Sequence, residues 1–356
     1  MSNAAYISLI PRVRPVLWAG LFLLLLFLFA ADMTVGSANI PLKSIGAILL
    51  GLNDEPERWR QVVLLFRLPR ALTAMLTGAA LGIAGLKMQT LFRNPLADPF
   101  VLGVSSGASL GVAAVILTAS SLGGVLPAIA GIFGNYSVII VAAICGSSLV
   151  MIIVLSVARK VENAVTLMIV GLMFGYIASS LVSVMMQFAM ETQTQNYITW
   201  TFGSFGGVTW TQMKIFAPAI SIGILTAWAL TKPLNAFLLG DDYARSMGVN
   251  VRRARIQIIF GTSLLAGTVT AFCGPVGFLG IAVPHLSRML LRTNDHHALI
   301  PAVILLGSSL ALVADIVAQV PGTDISLPLN AVTALIGAPV VVGIILRRRN
   351  IGDMTR

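Results

Sequence analysis

Residues 67–111 read RLPRALTAMLTGAALGIAGLKMQTLFRNPLADPFVLGVSSGASLG, and this stretch decides the fold. From Leu68 to Leu91 the run is almost wholly apolar, and about 20 such residues suffice to cross a hydrocarbon core of about 30 Å. Pro69 stands at its head, where a missing N–H has no helical partner to lose. Gly78 and Gly82 are four apart, as are Gly103, Gly107 and Gly111. Small residues at that spacing let helix backbones approach closely in lipid, where packing replaces the hydrophobic effect. A phosphate-binding loop is the sharper reading of such glycines, but no Gly-Lys pair occurs anywhere in the chain, so the Walker A pattern is absent. The stretch therefore reads as two membrane helices joined by the polar break FRNPLADP (92–99).

The same character extends outward to both ends. Of 356 residues, 57% are hydrophobic and 10% charged, against about 25% charged in soluble domains, which excludes a soluble globular protein. No polar block is long enough for a second unit, so residues 1–356 read as one all-α, polytopic membrane domain. Ten spans are predicted: 16–35, 68–91, 100–118, 137–158, 164–189, 210–231, 256–273, 279–291, 298–319 and 328–346. Arg12 and Arg14 before the run from Val16 to Ala31 imitate a signal peptide, but Ala30, Ala31 and Asp32 make a poor cleavage site, and the run reads as a first span. Ten spans put both termini on one side. Counting Lys87 and Arg255 with the loops, 17 of the 23 Lys and Arg then fall on that side, which the positive-inside rule makes cytoplasmic. The net charge of +10 punctuates apolar runs rather than forming a patch or arm, so no nucleic-acid partner is expected.

Three segments outside the regular spans stand out. The outer loop, 33–67, holds the amphipathic IPLKSIGAILLG and leads into Arg67 and Arg70, which flank Leu68-Pro69. Two outward guanidiniums suit carboxylates of an extracytoplasmic partner; lipid headgroups are the competing anchor. The inner segment, 233–255, reads PLNAFLLGDDYARSMGVNVRRAR. Asp241 and Asp242 open a short helix carrying Tyr243, Ala244, Arg245 and Met247, and Gly248 can close it in the left-handed conformation. Such a helix fits a cleft on another protein or a rest on the membrane surface. The third segment carries Gly274, Pro275, Gly277 and Gly280, which break the helix before a short eighth span. Broken backbone at that depth must face protein or a water-filled cavity.

Few residues suggest chemistry. Cys145 and Cys273 lie inside apolar stretches, so neither a disulfide framework nor a Cys-rich metal site is expected. His285 has no spaced ligand partner, and His296 and His297 read as solvated loop residues. Neither an HExxH nor a GxSxG motif is expected to mark an intramembrane enzyme. Asp315 reads as the one carboxylate well inside a span, thin support for an ion-coupled carrier, which embeds ionisable groups along its path. Met168, Met173, Met185, Met186 and Met190, with Phe174 and Phe188, could line a path for a bulky solute or simply pack.

Three strings, 67–111, GPVGFLGIAVPHLSR (274–288) and LPLNAVTALIGAPVVVGIILRR (327–348), together resemble the FecCD family of ABC importer permeases, which includes vitamin B12, haem and ferric-siderophore permeases. The resemblance runs in order from about residue 16 to 349. It implies a vitamin B12 permease-like fold of about ten transmembrane helices. It also implies a second permease copy (identical or related), two cytoplasmic ATPase subunits that carry ATP and Mg, an extracytoplasmic substrate-binding protein, and no cofactor on this chain. By the same resemblance Arg67 and Arg70 match a basic docking pocket for the binding protein, which vitamin B12 members complete with a further Arg where Gln319 stands here. Gly240, Asp241, Asp242, Ala244, Arg245 and Gly248 match the segment that docks on the ATPase. Asn94 and Leu96, with Asn163, Ala164, Val165 and Thr166 at the start of span five, match the cytoplasmic gate; Ala164 and Val165 replace small hydroxyl residues of the vitamin B12 members. The expected function is the permease subunit of an ATP-driven importer in a bacterial inner membrane, taking up a metal chelate: a ferric siderophore first, then haem or cobalamin. The alternative is an ion-coupled secondary transporter.

Overall fold

The structure is a computed structural model and describes residues 15–36, 38–52, 55–118, 135–160, 164–320 and 326–353. Its described residues form helices and connecting turns. The long ones are α1 (Pro15–Thr34), α4 (Leu68–Leu91), α6 (Asn135–Ala158), α7 (Ala164–Phe188), α9 (Trp210–Ala229), α12 (Val251–Cys273), α14 (His296–Ala318) and α15 (Leu329–Asp353). Between them lie α2 (Leu42–Leu49), α3 (Glu57–Gln61), α5 (Val104–Ile116), α8 (Glu191–Thr201), α10 (Thr231–Phe237), α11 (Asp241–Ser246) and α13 (Leu279–Leu291).

Seven of these helical stretches are long and apolar enough to cross a membrane, and α5, α13 and Leu329–Gly343 of α15 are shorter apolar helices. Together they account for the ten predicted spans. Three boundaries differ. The span predicted from 100 is split by a 3-10 turn, Pro99–Leu102, that ends at Gly103 with φ +73°, so α5 is only 13 residues long. The span predicted from 256 begins at Val251, because Asn250 accepts from Arg253 N and caps the helix five residues earlier. The second span is extended backward through α3 and a π turn, Val62–Arg67, into one run from Glu57 to Leu91.

Helix α4 is the axis of the bundle: α9, α12, α13 and α14 pack on it. Its membrane window is 83% buried and that of α12 78%, whereas α6 and α7 are 28% and 22% buried, so α6 and α7 lie at the margin. The glycines set the close crossings. A Cβ on Gly78 would stand 2.0 Å from the Gly307 carbonyl oxygen, and one on Gly146 would stand 2.1 Å from that of Gly107. These are the α4–α14 and α5–α6 seams, and the packing reading of the glycine spacing holds at both.

The break after α12 is satisfied within the protein. Gly274 takes φ +76° and ends the helix, and Ser204 N donates to Cys273 O at 2.9 Å. Asn330 ties the head of α15 to the end of α8 beside it, donating through N to Phe202 O (3.0 Å) and through Nδ2 to Thr201 O (2.9 Å). The freed backbone faces protein, as depth in a membrane requires.

Candidate functional site

Two groups of polar side chains stand at opposite ends of α4. At its head, the π turn ends on Arg67, which is 8% exposed. Its Nη1 donates to Met33 O (2.8 Å) and Thr34 O (3.3 Å), and its Nη2 to Ala38 O. These carbonyls belong to the end of α1 and the turn toward α2. One helical turn further, Arg70 grips Asp315 of α14 in a bidentate pair, Nε to Oδ2 and Nη2 to Oδ1 both at 2.8 Å. Gln319, one turn beyond Asp315, donates from Nε2 to Asp315 Oδ2 (2.9 Å) and Asp32 Oδ1 (3.3 Å). Asp32 on α1 is itself buried.

The structure changes two sequence expectations here and gives Gln319 a place. Arg67 and Arg70 do not stand as two free outward guanidiniums: burial has committed the first to backbone acceptors and most of the second to Asp315. Arg70 keeps a 25% exposed side chain, and its Nη1 edge lies beside Gly206 in the turn between α8 and α9. Asp315 is not the one carboxylate inside the bundle, because the end of α1 brings Asp32 against it. Gln319 lies between these two carboxylates, and its amide suits that position because it brings donors without a further charge.

At the tail of α4, successive polar residues each hold a different neighbour. Lys87 is fully buried and donates to Gly223 O (3.2 Å) and Thr226 Oγ1 (2.8 Å) on α9. It is therefore no loop cation, as the charge count had it. Gln89 accepts from Arg288 Nη1 and donates to Gly280 O and Ile281 O at 3.3 Å each, fastening α13. Thr90 Oγ1 lies 2.9 Å from His296 Nε2, and His296 Nδ1 lies 2.6 Å from Asn235 Oδ1. His296 is fully buried, a correction to its reading as a solvated loop residue: capping by Asp295 starts α14 at this residue and turns the imidazole inward. Asp295 sits below the usual carboxylate range, because hydrogen bonds from Asn235 and the His297 N–H outweigh its partial burial.

Beyond this hub comes the expected gate. Asn94 Oδ1 accepts from Leu96 N at 3.0 Å, an Asx turn that leaves Leu96 37% exposed. Asp98 then caps the 3-10 turn through Phe100 N (2.8 Å); burial pushes its carboxyl up to about 6, with that N–H pulling the other way. The turn packs against α7 at Gly171, where a Cβ would stand 2.5 Å from Val101 O. Asn163 lies outside the described residues, α7 begins at Ala164, and Val165 and Thr166 are exposed. Backbone packing at Gly171 is what joins the 3-10 turn to α7.

The inner segment folds as a short helix. Gly240 (φ +109°) opens α11, and Gly248 (φ +81°) closes it at the positive φ expected of it. Ala244 is fully buried, whereas Tyr243 and Met247 are half or more exposed one turn apart. Asp241 anchors the helix by a 2.8 Å pair with Arg255 on α12, and Asp242 pairs loosely with Arg245 at 3.7 Å on the outside. Arg255 is accordingly a buried tie, not a surface charge.

The string Gly103-Val104-Ser105-Ser106-Gly107 does have the GxSxG spacing of a serine-hydrolase elbow, a correction to the expectation of none, but a 3-10 turn rather than a strand precedes it. Among the described residues no group of three His, Cys, Asp or Glu could hold a metal ion.

The profile of the FecCD transport family matches residues 23–347. The haemin transport system permease protein HmuU of Yersinia pestis is 34% identical over 343 residues, covering 95% of this chain and 98% of its own. The vitamin B12 import system permease protein BtuC of Klebsiella pneumoniae is 34% identical over 339 residues, 94% of each chain. A solved structure described as an inward-facing conformation of a metal-chelate type ABC transporter superposes with a TM-score of 0.80 at 27% identity, over 94% of this chain and 99% of that one.

Proposed function

The chain belongs to the FecCD transport family, and from that premise we propose that it is the permease subunit of an ATP-driven importer of a metal chelate. The observation that carries the reading is α11. A six-residue helix bounded by two positive-φ glycines, with Ala244 buried against the bundle and Tyr243 and Met247 projecting from it, is a rigid knob suited to a cleft on an ATPase. Two ATPase subunits supply ATP hydrolysis, a binding protein delivers the chelate at the Arg70 end, and a second permease copy completes the path. The exposed face of α7, with Ile169, Met173, Tyr176 and Val184, supports that copy as its neighbour. The chain sits in a bacterial inner membrane with both termini in the cytoplasm.

An ion-coupled carrier is the weaker reading. At the outer end Asp315 is held by Arg70, Gln319 bridges it to Asp32, and Arg67 is spent on backbone carbonyls, a cluster at one level rather than a relay across the bundle. Coupling instead requires that ATP binding favour one arrangement of the spans over another. Among substrates, a ferric siderophore ranks first, then haem and cobalamin. Vanadate-sensitive uptake of each, in proteoliposomes holding this chain with its ATPase and binding protein, tests the proposal. ATP-dependent accumulation of one chelate is expected; uptake driven by a proton gradient without the ATPase would overturn it.

A further inference from the structure

A groove of about 440 Å³ opens on the flank of the bundle between the end of α6, the end of α9 and the start of α12. Its walls are Leu155, Ala229, Leu230 and Phe260, with Arg159 at the rim. A second hollow shares Ile256 and Gln257 with it and adds Arg252 and Arg253. The two form one cleft that is cationic at the mouth and apolar in its depth. From Arg253 to Phe260 the floor descends about 10 Å along α12, seven residues at about 1.5 Å each.

We propose that this cleft binds an anionic phospholipid, its phosphate between Arg159, Arg252 and Arg253 and one acyl chain along Leu155, Leu230 and Phe260. Four observations favour that occupant. First, Arg252 donates from Nη2 to the Arg159 carbonyl oxygen (2.5 Å), which draws the two cationic segments together. Among the described residues neither Arg252 nor Arg253 pairs with a carboxylate. Second, no acidic residue stands in the first turn of α12, where the helix dipole itself favours an anion. Third, the ammonium of Lys87 approaches the cleft from behind through Thr226, a wall residue. Gly261 leaves it room, since a Cβ there would stand 2.6 Å from Nζ. Fourth, Trp228, 42% exposed beside Ala229, is the residue type that settles at headgroup level. Basic pockets between membrane helices take anionic headgroups. A soluble protein partner could cover the arginines, but it could not fill an apolar floor that descends toward the hydrocarbon. The inference rests on the chain spanning a membrane and is independent of which chelate it carries.

The test uses the full chain in detergent micelles, with phosphatidylglycerol, phosphatidylcholine of the same chains, or inorganic phosphate as probe. Thermal stability and co-purifying lipid, by mass spectrometry, are read together. Phosphatidylglycerol alone is expected to stabilise the chain, with affinity falling about fivefold for each of R159Q, R252Q and R253Q. K43Q/R58Q, at the other end, should change nothing. Ala229→Trp keeps every cation and fills the groove, so it should reduce bound phosphatidylglycerol even if the arginine variants fold poorly. Equal stabilisation by inorganic phosphate would reduce the site to a plain anion site and overturn the proposal. Lipid retention untouched by A229W, or unchanged in R252Q/R253Q while ATPase binding is lost, would also overturn it, the latter in favour of a protein partner.

Discussion

Arg70 and Asp315 face each other across the α4–α14 seam, 245 residues apart in sequence, with two hydrogen bonds of 2.8 Å. The carboxylate is 1% exposed and the guanidinium 25%. This pair sits where a delivery protein is proposed to dock, so one residue serves both the seam and the surface.

Asp315→Ala should therefore lower stability by about 1–3 kcal/mol, between the values for an exposed pair and for a fully buried one, because Arg70 can turn toward water. The double variant D315A/R70A should recover part of that loss. Thermal unfolding of the four proteins in one detergent measures the coupling. Additive single losses would mean that the pair contributes nothing.

Arg67 and Arg70 should separate by phenotype. Arg67→Met removes the donor to three carbonyls of the α1–α2 turn and should reduce the amount of folded protein. Arg70→Glu opposes Asp315 and reverses the exposed edge, so it should weaken binding-protein docking and raise its salt sensitivity. Docking measured on immobilised permease decides this: unchanged affinity in R70E removes its proposed surface role.

Gly78→Leu places a side chain where only 2.0 Å separates its Cβ from the Gly307 oxygen. The α4–α14 seam must open, and little folded protein should survive extraction. Gly20→Leu, on a helix face with nothing within 4 Å, should behave as the native chain. Equal yields would contradict the close crossing.

Gly248 has open space around it and φ +81°, so a substitution there meets backbone strain and no clash. Gly248→Val should cost about 1–2 kcal/mol locally and uncouple ATPase activity from transport by displacing α11. Gly248→Asn, which tolerates the left-handed region, should retain coupling. If valine couples normally, the turn does not matter to the ATPase.

Asp98 predicts a pH trend. Its folded pKa, about 6, lies above the ordinary 3.8, so the folded state holds its proton more tightly than the unfolded chain does. Stability from this group is greatest below pH 3.8 and falls as pH rises to about 6, then levels off. Asp98→Asn keeps an N-cap acceptor and should flatten that part of the profile. Melting temperatures between pH 4 and 8 test it; an unchanged slope in D98N would assign the trend elsewhere.

Hydropathy made the ten apolar segments legible because each is a local run, and a run of apolar residues has one low-energy environment in a bilayer. The tight glycine seams were legible for a similar reason, since small residues four apart share one helix face. Gly248 was readable because positive φ is a property of the residue itself. Apart from three span boundaries and the GxSxG spacing, the misreadings are of ionisable side chains near segment ends. Lys87 looked like a loop cation, His296 and Arg255 like surface residues, and Asp32 went uncounted. Composition at a segment end is the same whether the side chain meets water or a neighbouring helix.

The sequence by itself determined that this is an all-helical membrane protein of the FecCD transport family, which segments are apolar enough to span, and that the inner segment turns on Gly248. Tertiary structure alone decided the polar pairings: Asp32 reaches Gln319 across 287 residues, and Thr90 reaches His296 across 206. Hydrophobic burial depends on local runs and needs no named partner. A buried charge or imidazole must find specific complementary atoms, and which atoms lie within reach is settled only when the helices have packed.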